Sequence, residues 1–251
     1  MPNWCENKLT VYGTESDISV IKESLIGQDE QGKSVLDFNC LTPMPLALND
    51  ESYNSEAERA SDLLALDKSL LLTDEIIEQY IKCIFLKEEH LLLLLSLCSR
   101  QGNWRVADFI QWLASNTFNQ QRYHYDLALG QVYLNNLTKY GAADCDNWCK
   151  RFWGCKWNAN TVSLEFEETA LTCFFDTPWS PPECWFEKLC TSFPHMEIKL
   201  EYLEQGLGFG GVIENVDGNA IQWYLDDVEL NAFAQEVFGM LPDLDCLEDG
   251  V

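Results

Sequence analysis

The chain has 251 residues, of which 47% are hydrophobic, and a formal net charge of −25. That much apolar sequence suffices for a packed core and excludes a largely disordered chain. The shortage of Lys and Arg excludes binding to nucleic acid through neutralisation of its phosphates. After Lys199 there is no Lys, Arg or His, whereas twelve Asp or Glu residues follow. We therefore expect a partner with a basic surface and no direct contact with nucleic acid.

The first ten residues, MPNWCENKLT, lack the basic and apolar regions of a signal peptide. The longest apolar run, residues 91–95, is far shorter than a membrane span. Eleven cysteines, an odd number, fit free thiols in a reducing compartment. These patterns predict a cytoplasmic protein without membrane contact, and they leave its oligomeric state open.

The N-terminal segment predicts strand, helix, strand. Residues 7–13 alternate apolar and polar side chains as a half-buried strand does, and Gly13 ends the run. Residues 14–27 begin with capping residues, place Ile18, Ile21 and Leu25 at helical spacing, and end at Gly27. Residues 34–45 predict a second strand that two prolines terminate.

Residues 47–140 have a different composition, with little glycine and Leu-rich segments at helical period. We predict helices over roughly 55–67, 74–87, 88–100, 104–116 and 121–140. The segment is too long for a loop. It therefore predicts an all-helical insertion that interrupts a domain made of residues 1–46 and 141–251.

The β pattern returns after residue 160. Residues 161–168 and 170–179 predict two strands, residues 180–194 a helix, and residues 196–227 three strands with a tight turn at Asp217-Gly218. A last helix is predicted from about Val228 to Met240, before an acidic tail. This element order contains a split β-α-β unit twice. It predicts an α+β fold with a ferredoxin-like antiparallel sheet and helices on one face.

Five segments, MPNWCEN, LTPMP, WGCKWNA, FDTPWSPP and YLEQGLGFGG, follow one another in an order that resembles the YubB-like family. The resemblance covers residues 1–45 and 145–225. It implies a phage- or plasmid-encoded protein with a ferredoxin-like domain, and it supplies no reaction. Where the family pattern has Asp, this chain has Asn158. That difference argues against an acid–base role at this position.

The segment CDNWCKRFWGCKWNAN, residues 145–160, concentrates aromatic and basic residues. Its members Trp153, Lys156, Trp157 and Asn158, together with Trp179, form one candidate site that could stack a flat ligand or anchor a partner. Lys156 could pair with Glu204 or with a ligand anion. The alternative is a small hydrophobic core in which Gly154 and Gly206 supply positive φ angles.

The same segment spaces Cys145, Cys149 and Cys155 so that three thiolates could meet zinc, with His124 or His195 as fourth ligand. Structural zinc sites prefer pairs of cysteines two to four residues apart, and a second pair is missing. We therefore expect buried apolar cysteines and no metal site.

Catalytic motifs are scarce. The glycine-rich Gly206–Gly211 precedes a predicted strand and not a helix, so no helix N-terminus is available to hold a dinucleotide pyrophosphate. Removal of Met1 would leave the secondary amine of Pro2 as a general base only if a pocket lowered its pKa. We therefore predict a protein that is not an enzyme and needs no cofactor.

The acidic residues held on predicted elements form a second candidate site, a partner-binding acidic face: Glu201, Glu204, Asp226, Asp227 and Glu229. An ordered array of carboxylates can compete with DNA phosphates for Arg and Lys side chains. The hypothesis is an acidic inhibitor from a mobile element, acting on a host defence or nucleic-acid-handling complex in the host cytoplasm by DNA mimicry. The alternatives are a small-ligand binder or enzyme that uses the tryptophan motif, and, for Asp226 and Asp227, plain helix caps.

Overall fold

The computed structural model describes residues 2–49, 52–101 and 104–240, without the side chains of residues 97–101. The chain divides into two compact units, Met1–Met44 with Cys149–Val251, and Pro45–Trp148. The domain limits expected from the sequence, 1–46 with 141–251 and 47–140, stay predictions. The predicted acidic tail, residues 241–251, lies outside the described residues. No helix in the described part of the chain is long and apolar enough to cross a membrane.

Three groups of elements follow one another along the chain. The first is β1 (Trp4–Tyr12), α1 (Glu15–Leu25), β2 (Ile26–Gln28), β3 (Ser34–Leu36) and α2 (Phe38–Leu41). The second is α3 (Ser55–Ala65), α4 (Asp74–Ile76), α5 (Glu88–Gln101), α6 (Val106–Ala114), α7 (Thr117–Tyr123) and α8 (Leu127–Tyr140). The third is α9 (Cys145–Phe152), β4 (Asn160–Phe166), β5 (Ala170–Pro178), α10 (Glu183–Ser192), β6 (Glu197–Glu204), β7 (Phe209–Val216), β8 (Asn219–Tyr224) and α11 (Asp227–Phe238).

The first unit is built on a six-stranded antiparallel sheet in the order β4-β5-β1-β6-β7-β8. The path β1-α1-β4-β5-α10-β6 contains two split β-α-β units, which places β1 between β5 and β6. The predicted α+β class with an antiparallel sheet is confirmed. The predicted turn between β7 and β8 is also confirmed, since Asp217 (φ 52°) and Gly218 (φ 87°) are both left-handed.

The predicted second strand over residues 34–45 is wrong beyond residue 36. Residues 34–36 pair only with β2, outside the main sheet. Asp37 then caps α2 by accepting a hydrogen bond from the Asn39 N–H, and Phe38 is fully buried. An Asx cap followed by one large apolar residue favours a helical turn over a strand. The second strand of the split unit is β4 instead, which follows α9.

The two faces of the sheet carry different helices. On one face Phe38 contacts Phe175 (ring centroids 6.0 Å apart) and Trp185 (4.7 Å), which brings α2 and α10 onto the sheet. On the opposite face Phe238 of α11 contacts Phe174 at 6.5 Å. The prediction that helices cover one face is therefore wrong for α11. Phe174 leaves apolar area on the second face, and the apolar side of α11 covers part of it.

The second unit packs its helices around a core that includes Leu63, Ile81, Phe109 and Tyr123. The helix expected over 74–87 ends as a π-helical turn at Ile77–Ile81, and the one expected over 121–140 is divided at His124, whose φ is 57°. An isolated β-bridge also joins Leu71 to Arg105. The term all-helical therefore describes this unit only in part.

Candidate binding surface

One end of the main sheet brings together tryptophans that are far apart in sequence. Trp4 at the start of β1 lies opposite Pro178 at the end of β5. The backbone N–H of Trp179 donates to the Asn3 carbonyl at 2.9 Å. The rings of Trp4 and Trp157 are 6.3 Å apart between centroids. We call Trp4, Trp157 and Trp179 the tryptophan surface.

The side chains of the tryptophan surface are unusually exposed for tryptophan. Its three side chains are 43%, 44% and 48% exposed. Indole is large and apolar and is normally highly buried, so its clustered exposure marks a surface that other molecules can cover. A buried aromatic core of Phe38, Trp153 and Trp185 lies in the same unit.

Trp179 also has an unusual backbone conformation, because its φ is +71°. A left-handed conformation costs a residue with a Cβ about 1–2 kcal/mol. The neighbouring hydrogen bonds enforce it: Thr177 Oγ1 donates to the Ser180 carbonyl at 2.8 Å, and Ser180 Oγ donates to the Gly154 carbonyl at 2.9 Å. Strain of this kind is found most often at functional positions.

Two residues of the predicted motif site belong to the interior framework instead. Trp153 is 2% exposed, and its Nε1–H donates to the Thr42 carbonyl at 3.0 Å. Asn158 Nδ2 donates to Asp37 Oδ1 at 2.7 Å, and Asn158 Oδ1 accepts from the Phe38 N–H at 2.8 Å. Both residues hold α2 in place.

Lys156 lies beside the tryptophan surface, with its Nζ 5.5 Å from the ring centroid of Trp157. This distance allows a cation–π contact. Glu204, the partner considered from the sequence, is occupied differently, because its carboxylate accepts the backbone N–H groups of Gly206 and Leu207. Lys156 therefore stays in the candidate surface as a neighbour of Trp157.

The glycines are placed only partly as predicted. Gly154 has φ +87°, and a Cβ there would lie 2.8 Å from the Glu183 backbone nitrogen, so the position requires glycine. The left-handed residue in the second loop is Gly208 (φ +68°) and not Gly206.

Two residues of the predicted acidic face, both on strand β6, are buried in the structure. Glu201 is 7% exposed and Glu204 is 1% exposed. Glu201 lies between two lysines, with Lys8 Nζ at 3.5 Å and Lys199 Nζ at 3.1 Å. A buried carboxylate that is paired within its own sheet cannot contact a partner surface. Glu201 and Glu204 are therefore structural, which corrects the sequence prediction.

The three acidic residues at the start of α11 are exposed. Asp226 accepts from the N–H groups of Val228 and Glu229, and Glu229 reaches back to the Asp226 N–H, which completes a capping box. The capping alternative is thus confirmed for Asp226 and also holds for Glu229. Asp227 is exposed in the first turn and takes no part in the box.

The nine cysteines whose side chains the structure describes are free thiols. Burial raises the pKa of the Cys155 thiol, whose Sγ donates to the Trp157 carbonyl at 3.2 Å, and burial also raises the pKa of Cys145. No group of three or more His, Cys, Asp or Glu side chains within the described ranges is placed to hold a metal ion.

A carboxylate pair that was not expected from the sequence lies on the α11 face of the sheet. Glu6 on β1 is directly opposite Asp176 on β5. Both line a cavity of about 420 Å³ whose other lining residues include Val162, Phe174 and Phe238. Desolvation raises the pKa of each carboxyl, and the charge of Asp176 raises that of Glu6 further. We call this space the carboxylate cavity.

A known family model matches most of the C-terminal segment of the first unit. Residues 152–241 match the family model described as "Ferredoxin-like domain in Api92-like protein". The predicted ferredoxin-like architecture is thereby supported for this segment. It contains Trp157, Asp176, Trp179 and Phe238, whereas Trp4 and Glu6 lie outside it. The YubB-like assignment and the phage or plasmid origin stay predictions.

A similar solved structure is the crystal structure of a protein Api92 from Yersinia pseudotuberculosis, at 16% identity and a TM-score of 0.40. The match covers 90% of this chain and 99% of that one. No curated protein matches the chain significantly.

The sequence signal for the carboxylate cavity was weak. Glu6 is one acidic residue in the WCENK segment, and Asp176 is one in FFDTP. Only the register of β1 against β5 makes them neighbours. A carboxylate at an alternating strand position beside aromatic residues is the sequence pattern that could have indicated this cavity.

Proposed function

We propose that this protein is a non-enzymatic binding protein that holds another protein through the tryptophan surface. The observation that carries the proposal is the clustering of three half-exposed indoles at one end of the sheet. Trp is one of the residue types enriched among the energetic anchors of protein interfaces. Burying the exposed parts of three indoles also supplies a favourable apolar contribution to binding.

The geometry favours a preformed anchor. Trp179 is fixed by its backbone N–H bond to Asn3 and by a left-handed φ, while Trp4 and Trp157 contact each other. Side chains that are already ordered lose less conformational entropy when a partner covers them. The position of Trp179 is therefore fixed before a partner covers it.

The partner that fits is a protein with a basic surface. The net charge of −25 attracts cationic partners over the range that salt allows, and indole faces accept Arg and Lys side chains. Together with the resemblance to phage and plasmid proteins, this supports a role as inhibitor of a host defence or nucleic-acid-handling complex. DNA mimicry is one form of that role. Of the carboxylates in the predicted acidic face, the exposed ones that could bind a basic partner are Asp226, Asp227 and Glu229.

A capture experiment with matched tryptophan variants tests the proposal. The bait is the full chain, cross-linked in a lysate of cells that carry the gene, and the captured proteins are quantified by mass spectrometry. The test variant combines Trp157→Ala with Trp179→Gly, because glycine removes the indole and also releases the left-handed strain. The control is Trp223→Ala, since Trp223 on β8 is 48% exposed but lies outside the tryptophan surface.

We expect a protein that the wild-type and Trp223→Ala baits capture and that the double variant loses. Circular dichroism and thermal melting must show that the double variant is folded. Equal recovery of every protein by all three baits, or no specific protein on the wild-type bait, contradicts the proposal.

The second candidate is a small ligand. The observation that favours it is the carboxylate cavity, which begins two residues along β1 from Trp4.

A further inference from the structure

We propose that the carboxylate cavity binds a guanidinium group, supplied either by a free small molecule or by an arginine side chain of a partner protein. The cavity is bounded by β1, β4, β5 and α11, and it holds about 420 Å³. That volume lies within the range of roughly 300–1,000 Å³ that small-molecule sites occupy.

The charges in the cavity are unbalanced. Residues directly opposite in an antiparallel pair have Cβ atoms about 4.5–5.5 Å apart, and like charges there are destabilising. Glu6 and Asp176 occupy such a pair. In the described part of the chain neither carboxylate has an ion pair. The nearby Lys8, whose Nζ lies 5.7 Å from the Phe174 ring centroid, is paired with Glu201 at 3.5 Å. A cation placed between Glu6 and Asp176 would remove their repulsion.

The remaining polar contact in the cavity leaves most acceptor positions free. Asn160 Nδ2 donates weakly to Asp176 Oδ2 at 3.4 Å. Ionised carboxylates offer about four acceptor sites each. Two facing carboxylates therefore present acceptors that match a cation with several N–H donors.

The aromatic lining distinguishes guanidinium from a metal ion or an ammonium group. Phe174 and Phe238 contact each other edge to face, with an interplanar angle of 80° and centroids 6.5 Å apart. A guanidinium ion can lie flat against an aromatic ring while its five N–H donors point at carboxylates in its plane. Metal ions need a denser set of oxygen ligands than two half-buried carboxylates provide. An ammonium group is a more strongly hydrated point charge that gains less from the rings.

The raised pKa values of Glu6 and Asp176 agree with this geometry, because desolvation is the first cause of both shifts. Desolvated carboxylates bind a cation more strongly than solvated ones do. The inference does not rest on the tryptophan surface, since a free guanidinium compound can be tested without any partner.

Isothermal titration calorimetry with four probes tests the inference on the full chain. Propylguanidine is compared with butylamine, a similar chain that ends in an ammonium group. The peptide acetyl-Gly-Arg-Gly-amide is compared with acetyl-Gly-Lys-Gly-amide. The variants are Glu6→Gln and Asp176→Asn, and the matched control is Glu165→Gln, an exposed carboxylate on the neighbouring strand β4.

We expect saturable binding of propylguanidine, of the arginine peptide, or of both. Either variant should weaken it roughly tenfold or more, because each removes a charge-assisted pair of hydrogen bonds, while Glu165→Gln leaves it unchanged. Binding of propylguanidine alone identifies a small-molecule site. Binding of the peptide identifies a partner's arginine.

Three outcomes overturn the inference. They are no saturable binding of either guanidinium probe, equal binding by the Glu6→Gln and wild-type proteins, and equal affinity for the matched amines. Both variants replace a carboxylate by its isosteric amide, and a thermal melt of each shows whether it is folded. If the capture experiment finds no partner that depends on the tryptophan surface while guanidinium binding is observed, that result contradicts the proposed function and not this inference.

Discussion

Trp153 and Trp157 lie four residues apart and have opposite environments, and this difference yields the first prediction. Trp153 is 2% exposed and hydrogen-bonded, whereas Trp157 is 44% exposed. Trp153→Ala should lower the free energy of unfolding by about 3–5 kcal/mol, because it empties a buried site. Trp157→Ala should lower it by no more than about 1.5 kcal/mol. The sequence motif that contains both tryptophans does not distinguish these two roles.

Urea unfolding of the two variants, monitored by circular dichroism, measures both values. A loss of several kcal/mol in Trp157→Ala would show that this indole is structural, and it would remove Trp157 from the tryptophan surface.

The paired carboxylates give a second prediction at the scale of single residues. Because the pKa of Glu6 and that of Asp176 are both raised, the folded protein takes up protons there before the unfolded chain does. The contribution of the pair to stability therefore increases as pH falls through the raised pKa values toward the ordinary ones near 4. Glu6→Gln should raise the melting temperature at pH 7, and this gain should shrink near pH 4.

Thermal melts of Glu6→Gln, Asp176→Asn and Glu165→Gln at several pH values check this sign. The Glu165→Gln control carries the general effect of removing one negative charge from a strongly acidic protein. A gain at pH 7 no larger than that of the control would mean that the two carboxylates do not repel each other in the folded state.

At the scale of elements, local signals predicted most of the first unit. The alternation in β1, a capping residue before α1 and the Asp217-Gly218 turn are encoded within a few residues. The structure has all three, and the cap of α1 is Thr14. The prediction was wrong at the start of α2, because the Asp37 cap and the buried Phe38 begin a helix within a segment whose pattern is typical of a strand. Helix caps are short signals, and competing β propensity around them hides them.

The binding surfaces were harder to predict, because they depend on which elements become neighbours. Trp4 meets Trp157, and Glu6 meets Asp176, only after the strands pair in the register observed. The face taken by α11 was mispredicted for the same reason, since its stripe can pack against either side of a sheet. The ion pair of Glu201 with Lys8 likewise depends on the register of β1 against β6, which sequence spacing does not reveal.

At the scale of the whole molecule, the two segments of the first unit come close together at Met44 and Cys149, the residues that flank the second unit in sequence. Cys149 Sγ lies 3.9 Å from Met44 Sδ. Replacing residues 45–148 by a short Gly-Ser linker should therefore leave a folded first unit, because the linker spans a short gap. Far-ultraviolet circular dichroism and a cooperative thermal melt of the deletion protein check this. A protein without cooperative melting would show that the first unit requires the second.

The final prediction concerns the net charge, and it separates DNA mimicry from anchoring by tryptophan. With the partner found by capture, the association rate should fall as salt rises, because screening shortens the range of Coulomb attraction to about 8 Å near physiological ionic strength. The dissociation rate should depend little on salt if the indoles hold the partner. Asp227→Lys tests a local carboxylate without breaking the Asp226–Glu229 capping box. Glu168→Lys, in the exposed turn between β4 and β5, reverses the same charge elsewhere.

Under anchoring by tryptophan, both reversals slow association by a similar small factor, and duplex DNA does not compete for the partner. Under DNA mimicry, Asp227→Lys weakens binding far more than Glu168→Lys, affinity falls steeply with salt, and DNA displaces the protein, because carboxylates and phosphates then occupy the same basic groove. Kinetics measured at three salt concentrations with both variants, and a DNA competition at the lowest, distinguish the two mechanisms. Equal rates at all salt concentrations would contradict both, since a protein of charge −25 would then meet its partner without electrostatic attraction.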